Sequence, residues 1–536
     1  MSLEAFIHHL HFDTDKVRPP DLDVDWEDAP LPYKLYRGLP VYPLPSDIPL
    51  TLRNYKVQSN QHEPSLSQVG AMLWYTFGVT QVSQTVIPVS SEDDEMLPLQ
   101  SNRRFLPSGG ALYPSELYLY LKLSTLTQGI YHYDVAHHRL VLLREGNFDD
   151  YLTRALGDDC HVTACFGAAF VTTYFWKNFY KYHYFSYRLQ GLDAGVLLGQ
   201  WLGATACLGI SASIKFQYVD RAINHLIGIA EQEENTYAVI PLSLQPGSAW
   251  GSKEEQSLEQ RQSHMTAEQL TSEIPKISPS HFVRSKRVKD YPLLQRMNEA
   301  SMIESTRSFI HSAIDTKAKR WQEPGTCSGI ALPVEENSDS DFAEYCRKRF
   351  SPDTDFVMKK VSLTQVSRLL YEGIGAFFFR HDLGTRRDEI KLDLYVCLNH
   401  VDGIPDGAYR YEPINHELLP IQYGDHRLRL QAGMTLENVN LHQVPLCFHV
   451  VGTRDHLAHK WGHRGYRIQQ MGAGMFVQRL LMTAFTCGMG GHPLLGYDVR
   501  HCDEIYQIEK EGKTCLIQIP VGHYRPRTRL QGGLHG

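Results

Sequence analysis

The chain lacks several features that would place it quickly. Its ten cysteines include no Cys-x-x-Cys pair, which excludes the thiolate zinc site and the dithiol redox centre that such spacing marks, and their scatter suits reduced thiols better than a disulfide framework. It has no basic excess: 53 Lys and Arg against 60 Asp and Glu leave a formal charge of -7, the wrong sign for a protein devoted to nucleic acid. No uninterrupted apolar run reaches the length of a membrane span. The opening MSLEAFIHHLHFDTDK has neither the basic start nor the continuous apolar stretch of a secretory signal. These absences predict a cytoplasmic protein with no membrane and no nucleic-acid partner.

What is present is core material and repetition. Hydrophobic residues make up 42% and charged residues 21%, as in folded globular chains, and 536 residues exceed what one hydrophobic core usually serves. YRLQGLDAGVLLGQWLGATACLGI, from Tyr187, lies without a gap over YRIQQMGAGMFVQRLLMTAFTCGM, from Tyr466, matching Tyr187/Tyr466, Arg188/Arg467, Gln190/Gln469, Ala194/Ala473, Gly195/Gly474, Leu202/Leu481 and Gly209/Gly488. GIYHYDVAHHRL from Gly129 pairs likewise with GAYRYEPINHEL from Gly407, and LSQV from Leu66 with LTQV from Leu363. Long segments repeated once in the same order indicate a duplicated domain, not a solenoid.

The expected organisation is an N-terminal arm (1–55), a first domain (56–245), a polar linker with solvated helices (246–341) and a second domain (342–536). The arm is proline-rich and reads as extended. Within each half the order is helix, loop, strand, hairpin, long apolar helix, closing strand. The first long segment is apolar almost all round and is therefore expected to be buried on every side. Small residues at Gly195, Gly199, Gly203 and Ala206 predict close approach of its partner helix at the centre of a pseudo-dimer.

Residues 103–121, RRFLPSGGALYPSELYLYL, place two arginines and a Pro-Ser-Gly-Gly turn before a strand-like run. Pro107 fixes its own backbone, Gly109 and Gly110 allow conformations closed to other residues, and Tyr113-Pro114 favours an extended exit. A turn before a strand would explain the glycines alone. With the Ser108 hydroxyl, exposed amides, Arg103 and Arg104, the same turn suits a cradle for an anionic or carbonyl-rich ligand.

These residues resemble the signature of the nitroreductase-like flavoenzymes, specifically the SagB/McbC-type azoline dehydrogenases, in which Arg-Arg precedes Pro-Ser-Gly-Gly-Ala-Leu-Tyr-Pro and a Glu-x-Tyr strand. Arg103, Arg104, Pro107 to Pro114, Glu116 and Tyr118 fit. A second family motif is matched by Lys181, Tyr182, Tyr187, Arg188, Asp193, Ala194 and Gly195, with Val196 where the family usually has His. The resemblance implies an α+β fold, here two nitroreductase-like domains forming an intramolecular pseudo-dimer, with antiparallel sheets flanked by helices and FMN at the interface. It implies oxidation of thiazoline or oxazoline rings of a peptide to thiazoles or oxazoles, with Lys181 and Tyr182 as the catalytic pair. Its implied partners are an azoline-containing peptide or carrier-bound substrate and a cyclodehydratase complex.

The two halves do not copy one another at the motifs. Where the second half should repeat the glycine pair it reads FRHDLGTRRDEIKLDLYVCL, from Phe379. Conversely, Arg347 and Arg349 in RKRFS, and Arg525 and Arg527 in PVGHYRPRTR, resemble the basic residues that hold FMN phosphate in the family, whereas the first half ends in IPLSLQPGS without an arginine. GMGGHPLLGYD, with Gly490 and Gly491, resembles the family's flavin loop better than ISASIKFQYVD does. One composite site is expected: the second half cradles phosphate, and Ser108 to Gly110 with Lys181-Tyr182 cover the ring. The sequence leaves two other classes open, an NAD(P)H-dependent FMN reductase of nitroaromatics or quinones and a non-catalytic scaffold subunit. His456, His459 and His463 recur at helical spacing without a thiolate or carboxylate partner, so no metal is expected there and a solvated or substrate-facing surface is.

Overall fold

Two seven-stranded antiparallel sheets carry the chain, and their strand orders are the same. The first runs, edge to edge, Val41–Pro43, Arg139–Glu145, Gly129–Asp134, Ser115–Leu121, Gly167–Tyr174, Glu234–Ser243, Ser211–Ala212. The second runs Ile330–Ala331, Glu417–Tyr423, Gly407–Glu412, Asp393–Leu398, Leu446–Thr453, Lys513–Gly522, Gly490–Gly491. Even the bulges recur, between Val171 and Thr172 in one sheet and Val450 and Val451 in the other. The repeat in the sequence is therefore a repeat of fold. The computed structural model describes all residues except 54–62, 89–95, 159, 246–263, 311–328, 335–340, 376–378, 385–389, 526–531 and 534–536.

Ser115–Leu121 is buried along its whole length. Its alternation separates two kinds of core rather than core from solvent: Leu117, Leu119 and Leu121 face the layer that holds the long helices, and Tyr118 and Tyr120 face a second cluster. That is the pattern of a central strand covered on both faces.

The long helices, Ser186–Cys207 and Arg464–Thr486, cross at the pair matched by the repeat. A Cβ on Gly195 would strike Met471 O and come within 2.7 Å of Met471 C and Cα; one on Gly474 would strike Leu192 O and lie 2.8 Å from Val196 N. Backbone meets backbone at this point, which only glycine permits. Tyr187 and Tyr466, also a repeat pair, stack at 5.5 Å with rings 15° apart. Gly199 belongs to the same seam, facing Gln478, and a Cβ on Gly203 would meet both Phe342, at 2.6 Å, and Met482 of the partner helix, at 3.4 Å, so the small-residue stripe serves two neighbours. Buried Asp220 of the first half pairs with Arg464 at 2.7 Å and Arg467 at 3.4 Å from the second.

A third sheet crosses between halves: the hairpin Gln81–Pro88 and Met96–Arg103 is joined by Gly532–Gly533 from the end of the chain. Two expectations need correction. The arm is not wholly extended, because Leu3–Phe12 forms a helix whose Phe6 and Leu10 are buried. The described linker helices, Ala267–Glu273 and Pro292–Ala300, are not solvated, since Leu270, Leu294 and Met297 are fully buried. No described helix is long and apolar enough to cross a membrane.

Candidate active site

The turn at 107–113 is held in a shape its sequence would not choose unaided. Gly110, Ala111 and Tyr113 all have positive φ, at 63°, 57° and 47°, and the two non-glycine residues each cost about 1–2 kcal/mol there. Asp193 of the first long helix compensates: its carboxylate accepts Ser108 Oγ at 2.7 Å and Gly109 N at 3.2 Å, and Ser108 Oγ in turn accepts Tyr113 N at 2.9 Å. Burial pushes the Asp193 carboxyl up to about 7, against the opposing pull of those two donors. Asp193 appeared in the sequence only as a motif letter.

Lys181 and Tyr182 end the helix Trp176–Tyr182 and meet this turn directly. A Cβ on Gly110 would collide with Tyr182 OH and lie 2.9 Å from Lys181 Nζ. Burial lowers the Lys181 ammonium from its ordinary value, and the nearby positive charges of Arg18 and Arg103 lower it further. Burial raises the Tyr182 phenol to about 12. The helix is anchored one turn earlier by Lys177, which meets the Glu116 carboxylate at 2.5 Å and donates to Tyr113 O. Glu116 also takes His132 at 2.9 Å and the Lys34 amide at 2.9 Å. Burial opposes its ionisation, but Lys177 and His132 hold it well below the usual carboxylate range. The Glu of the Glu-x-Tyr strand thus fixes the helix that carries the candidate pair.

The remaining candidates divide. Arg103 is exposed at the hairpin end, whereas Arg104 is buried, its guanidinium 3.9 Å over the Phe77 ring and donating to Phe77 O and Pro32 O; it braces the turn. Arg349 donates through Nε to Phe105 O and through Nη1 to Ser351 Oγ at 3.2 Å, which ties one arginine of the second half to the stretch leading into the first half's turn. Phe350 packs on Tyr524 at 5.6 Å, and a Cβ on Gly490 would lie 2.8 Å from the Tyr524 ring. Arg525 is exposed beside them, Gly491 backs onto Leu481, and Arg347 donates to Leu50 O at 2.6 Å. Among the described residues none of Arg347, Arg349 and Arg525 pairs with a carboxylate. Arg527 lies outside the described residues.

The first half's counterpart of the Gly490 loop, by the internal repeat, is bonded by the chain itself. Asp382 accepts Phe216 N and Gln217 N, each at 2.9 Å, and Ile214 N donates to Arg380 O at 2.9 Å. The corresponding amides on the first side, Leu495 and Gly496, have no acceptor among the described residues. Arginines without carboxylate partners, amides without an acceptor among the described residues and a glycine-tight wall are a donor set that suits a flavin nucleotide, and they occur on one side only. Nothing in the sequence signalled the role of Asp382.

His456, expected at a solvated or substrate-facing surface, is instead buried, stacked on His11 at 4.6 Å and bonded to Gln469 at 2.7 Å; burial takes its pKa down to about 4. His459 pairs with Asp455 at 2.5 Å. The helix breaks at Gly462, φ 54°, so the three histidines do not share one face. A separate cavity of about 590 Å³ opens beside Lys34, Glu234 and the linker and includes none of the candidate site residues.

The class that this fold defines is the nitroreductase-like one, present here twice in tandem. A solved structure of an Anabaena variabilis protein assigned as a nitroreductase superposes with a TM-score of 0.71 at 20% identity, covering 98% of this chain and 100% of that one. In sequence, a protein of Methanocaldococcus jannaschii named as a nitroreductase is 23% identical over 172 residues, 31% of this chain and 84% of its own length. The trifolitoxin-processing protein TfxB of Rhizobium leguminosarum bv. trifolii is 25% identical over 214 residues, 36% of this chain and about half (54%) of its own length. No family model matches the chain.

Proposed function

We propose that this protein is an FMN-dependent oxidoreductase that converts thiazoline or oxazoline rings of a peptide into thiazoles or oxazoles, at one site shared by its two halves. The observation that carries this reading is the meeting of Lys181-Tyr182 with the Gly110 turn, with Arg349 of the second half bonded to Phe105 just ahead of that turn. Similarity to a protein named for toxin processing supports a peptide substrate.

Arg347, Arg349 and Arg525 would hold the phosphate, and Gly490, Gly491 and the amides of Leu495 and Gly496 would line the ring. Bound FMN supplies the acceptor for the hydride that leaves ring Cβ. The chain's own residues handle the proton. Lys181, whose ammonium burial and two nearby cations make easier to deprotonate, is the group that takes the ring Cα proton at Nζ. Tyr182, raised to about 12, stays protonated and donates a hydrogen bond. Asp193 keeps the turn in place above them.

A synthetic azoline peptide incubated with the protein is expected to lose about 2 Da per ring, the mass of two hydrogens removed. Lys181→Ala and Tyr182→Phe should abolish that loss while FMN stays bound. Unchanged turnover in both variants would end this assignment. Rapid NAD(P)H oxidation independent of Lys181 would instead identify a general flavin reductase.

A further inference from the structure

The N-terminal arm lies across the pair Lys181-Tyr182. From Asp21 to Glu27 its residues alternate: Asp21, Asp23, Asp25 and Glu27 are exposed, and Leu22, Val24 and Trp26 are half-buried, the period of an extended chain laid on a surface. The Trp26 ring centroid is 5.1 Å from Lys181 Nζ, and the ring packs edge-on against Tyr180 at 6.1 Å. Arg18 sits 5.4 Å over the Tyr182 ring.

The arm is pinned on both flanks of the short helix. Val17 O and His183 Nδ1 lie 3.2 Å apart at one end. At the other, Asp25 takes Arg287 Nε and Nη2 at 2.7 and 2.9 Å, and Asp28 accepts the amides of Lys286 and Arg287. Ser285 donates to Asp28 O and accepts the indole N–H of Trp176, the first residue of that helix.

We propose that the arm is a working part of the reaction centre: Trp26 and Arg18 are positioning residues that roof Lys181 and Tyr182, and the Asp25–Arg287 pair is the clasp that keeps the roof in place. The inference rests on the reading of Lys181-Tyr182 as the proton-handling pair. A lysine ammonium on a four-carbon stem would otherwise reach for water. Trp26 closes that route without offering a counter-charge. The charged groups facing the pair are Arg18 from the arm and Arg103 from the hairpin, which act on Lys181, and Asp193 from the long helix, which with Arg18 acts on Tyr182. Among the described residues Lys181 has no carboxylate partner.

The test is the pH dependence of Lys181 acetylation by acetic anhydride in the full-length protein, read by peptide mass spectrometry, with Lys460 as the internal reference. Both Arg18 and Lys181 lie within about 5.5 Å of the Tyr182 ring. Removing a unit charge at roughly 10 Å in an effective dielectric of about 40 changes the ionisation equilibrium about four-fold. Arg18→Met should therefore raise the labelling midpoint by about half a pH unit, and Arg18→Lys should leave it in place. Asp25→Asn combined with Arg287→Gln should raise the limiting labelling rate several-fold, with Lys460 unaffected. An unmoved midpoint in Arg18→Met, or an unchanged limiting rate in the unclasped variant, would overturn the proposal. Labelling needs neither flavin nor substrate. Absent azoline turnover with these labelling shifts intact would therefore remove the proposed function and leave the arm's role standing.

Discussion

Adding one methyl group at two helical glycines should have effects of opposite sign. At Gly195 an added Cβ meets the Met471 backbone, with its carbonyl carbon and Cα both at 2.7 Å. Neither atom is the tip of a flexible side chain, so the two long helices must separate. Overpacking costs about 1–3 kcal/mol and occasionally more; with backbone on both sides of the contact the upper end, about 3 kcal/mol, applies, against which the better helix propensity of alanine returns about 1 kcal/mol. Gly195→Ala should therefore lose about 2 kcal/mol. At Gly70, inside the helix Leu66–Phe77, the nearest atoms to an added Cβ are at 3.6 Å, ordinary contact. Gly70→Ala should gain up to about 1 kcal/mol from propensity alone. Urea unfolding followed by tryptophan fluorescence reads both, as midpoint shifts in opposite directions with unchanged slope. Because the Gly195 crossing joins the halves that share the site, the destabilised variant should also release flavin at lower urea. Equal shifts in the two variants, or a neutral Gly195→Ala, would refute backbone contact at the crossing.

Three further outcomes follow from the site. Asp193 is raised to about 7 in the folded chain, so the native state binds the extra proton between about pH 4 and 7 and stability falls as pH rises through that window; Asp193→Asn should flatten the fall, read as Tm against pH. Arg349→Ala and Arg525→Ala should each weaken FMN by roughly 10–100-fold, the worth of one charged hydrogen bond, and leave riboflavin affinity unchanged in fluorescence titrations. Asp382→Ala strands the buried amides of Phe216 and Gln217 and should cost about 2–4 kcal/mol in urea unfolding without altering flavin content.

Much of the fold could be read from the chain because it is written twice. The small residues of the first long segment pointed to close approach of its repeat partner, though not to the point of crossing at Gly195 and Gly474, and the strand-like run after Pro114 is the strand Ser115–Leu121. The hairpin Gln81–Arg103 escaped because its strands carry Pro88 and Pro98 and pair with the distant Gly532–Gly533. Phe342 as the nearest neighbour of Gly203 could not be read because a small residue declares room without naming all that fills it. In the site, local motifs brought out the turn and the Lys-Tyr pair. Arg18, Trp26 and Asp382 act only through tertiary placement, on segments distant in sequence from what they touch. Arg104 fits its motif as well as Arg103 does, yet its guanidinium is spent on the carbonyls of Phe77 and Pro32.

The measurement closest to the core of this picture is flavin content per chain after reconstitution with excess FMN, by absorbance of the released cofactor against protein concentration from amino-acid analysis. Arginines on one side only, with Asp382 already holding the corresponding amides on the other, predict one FMN per chain, lost in the Arg349→Ala, Arg525→Ala double variant. A reproducible value of two, or none, would contradict it.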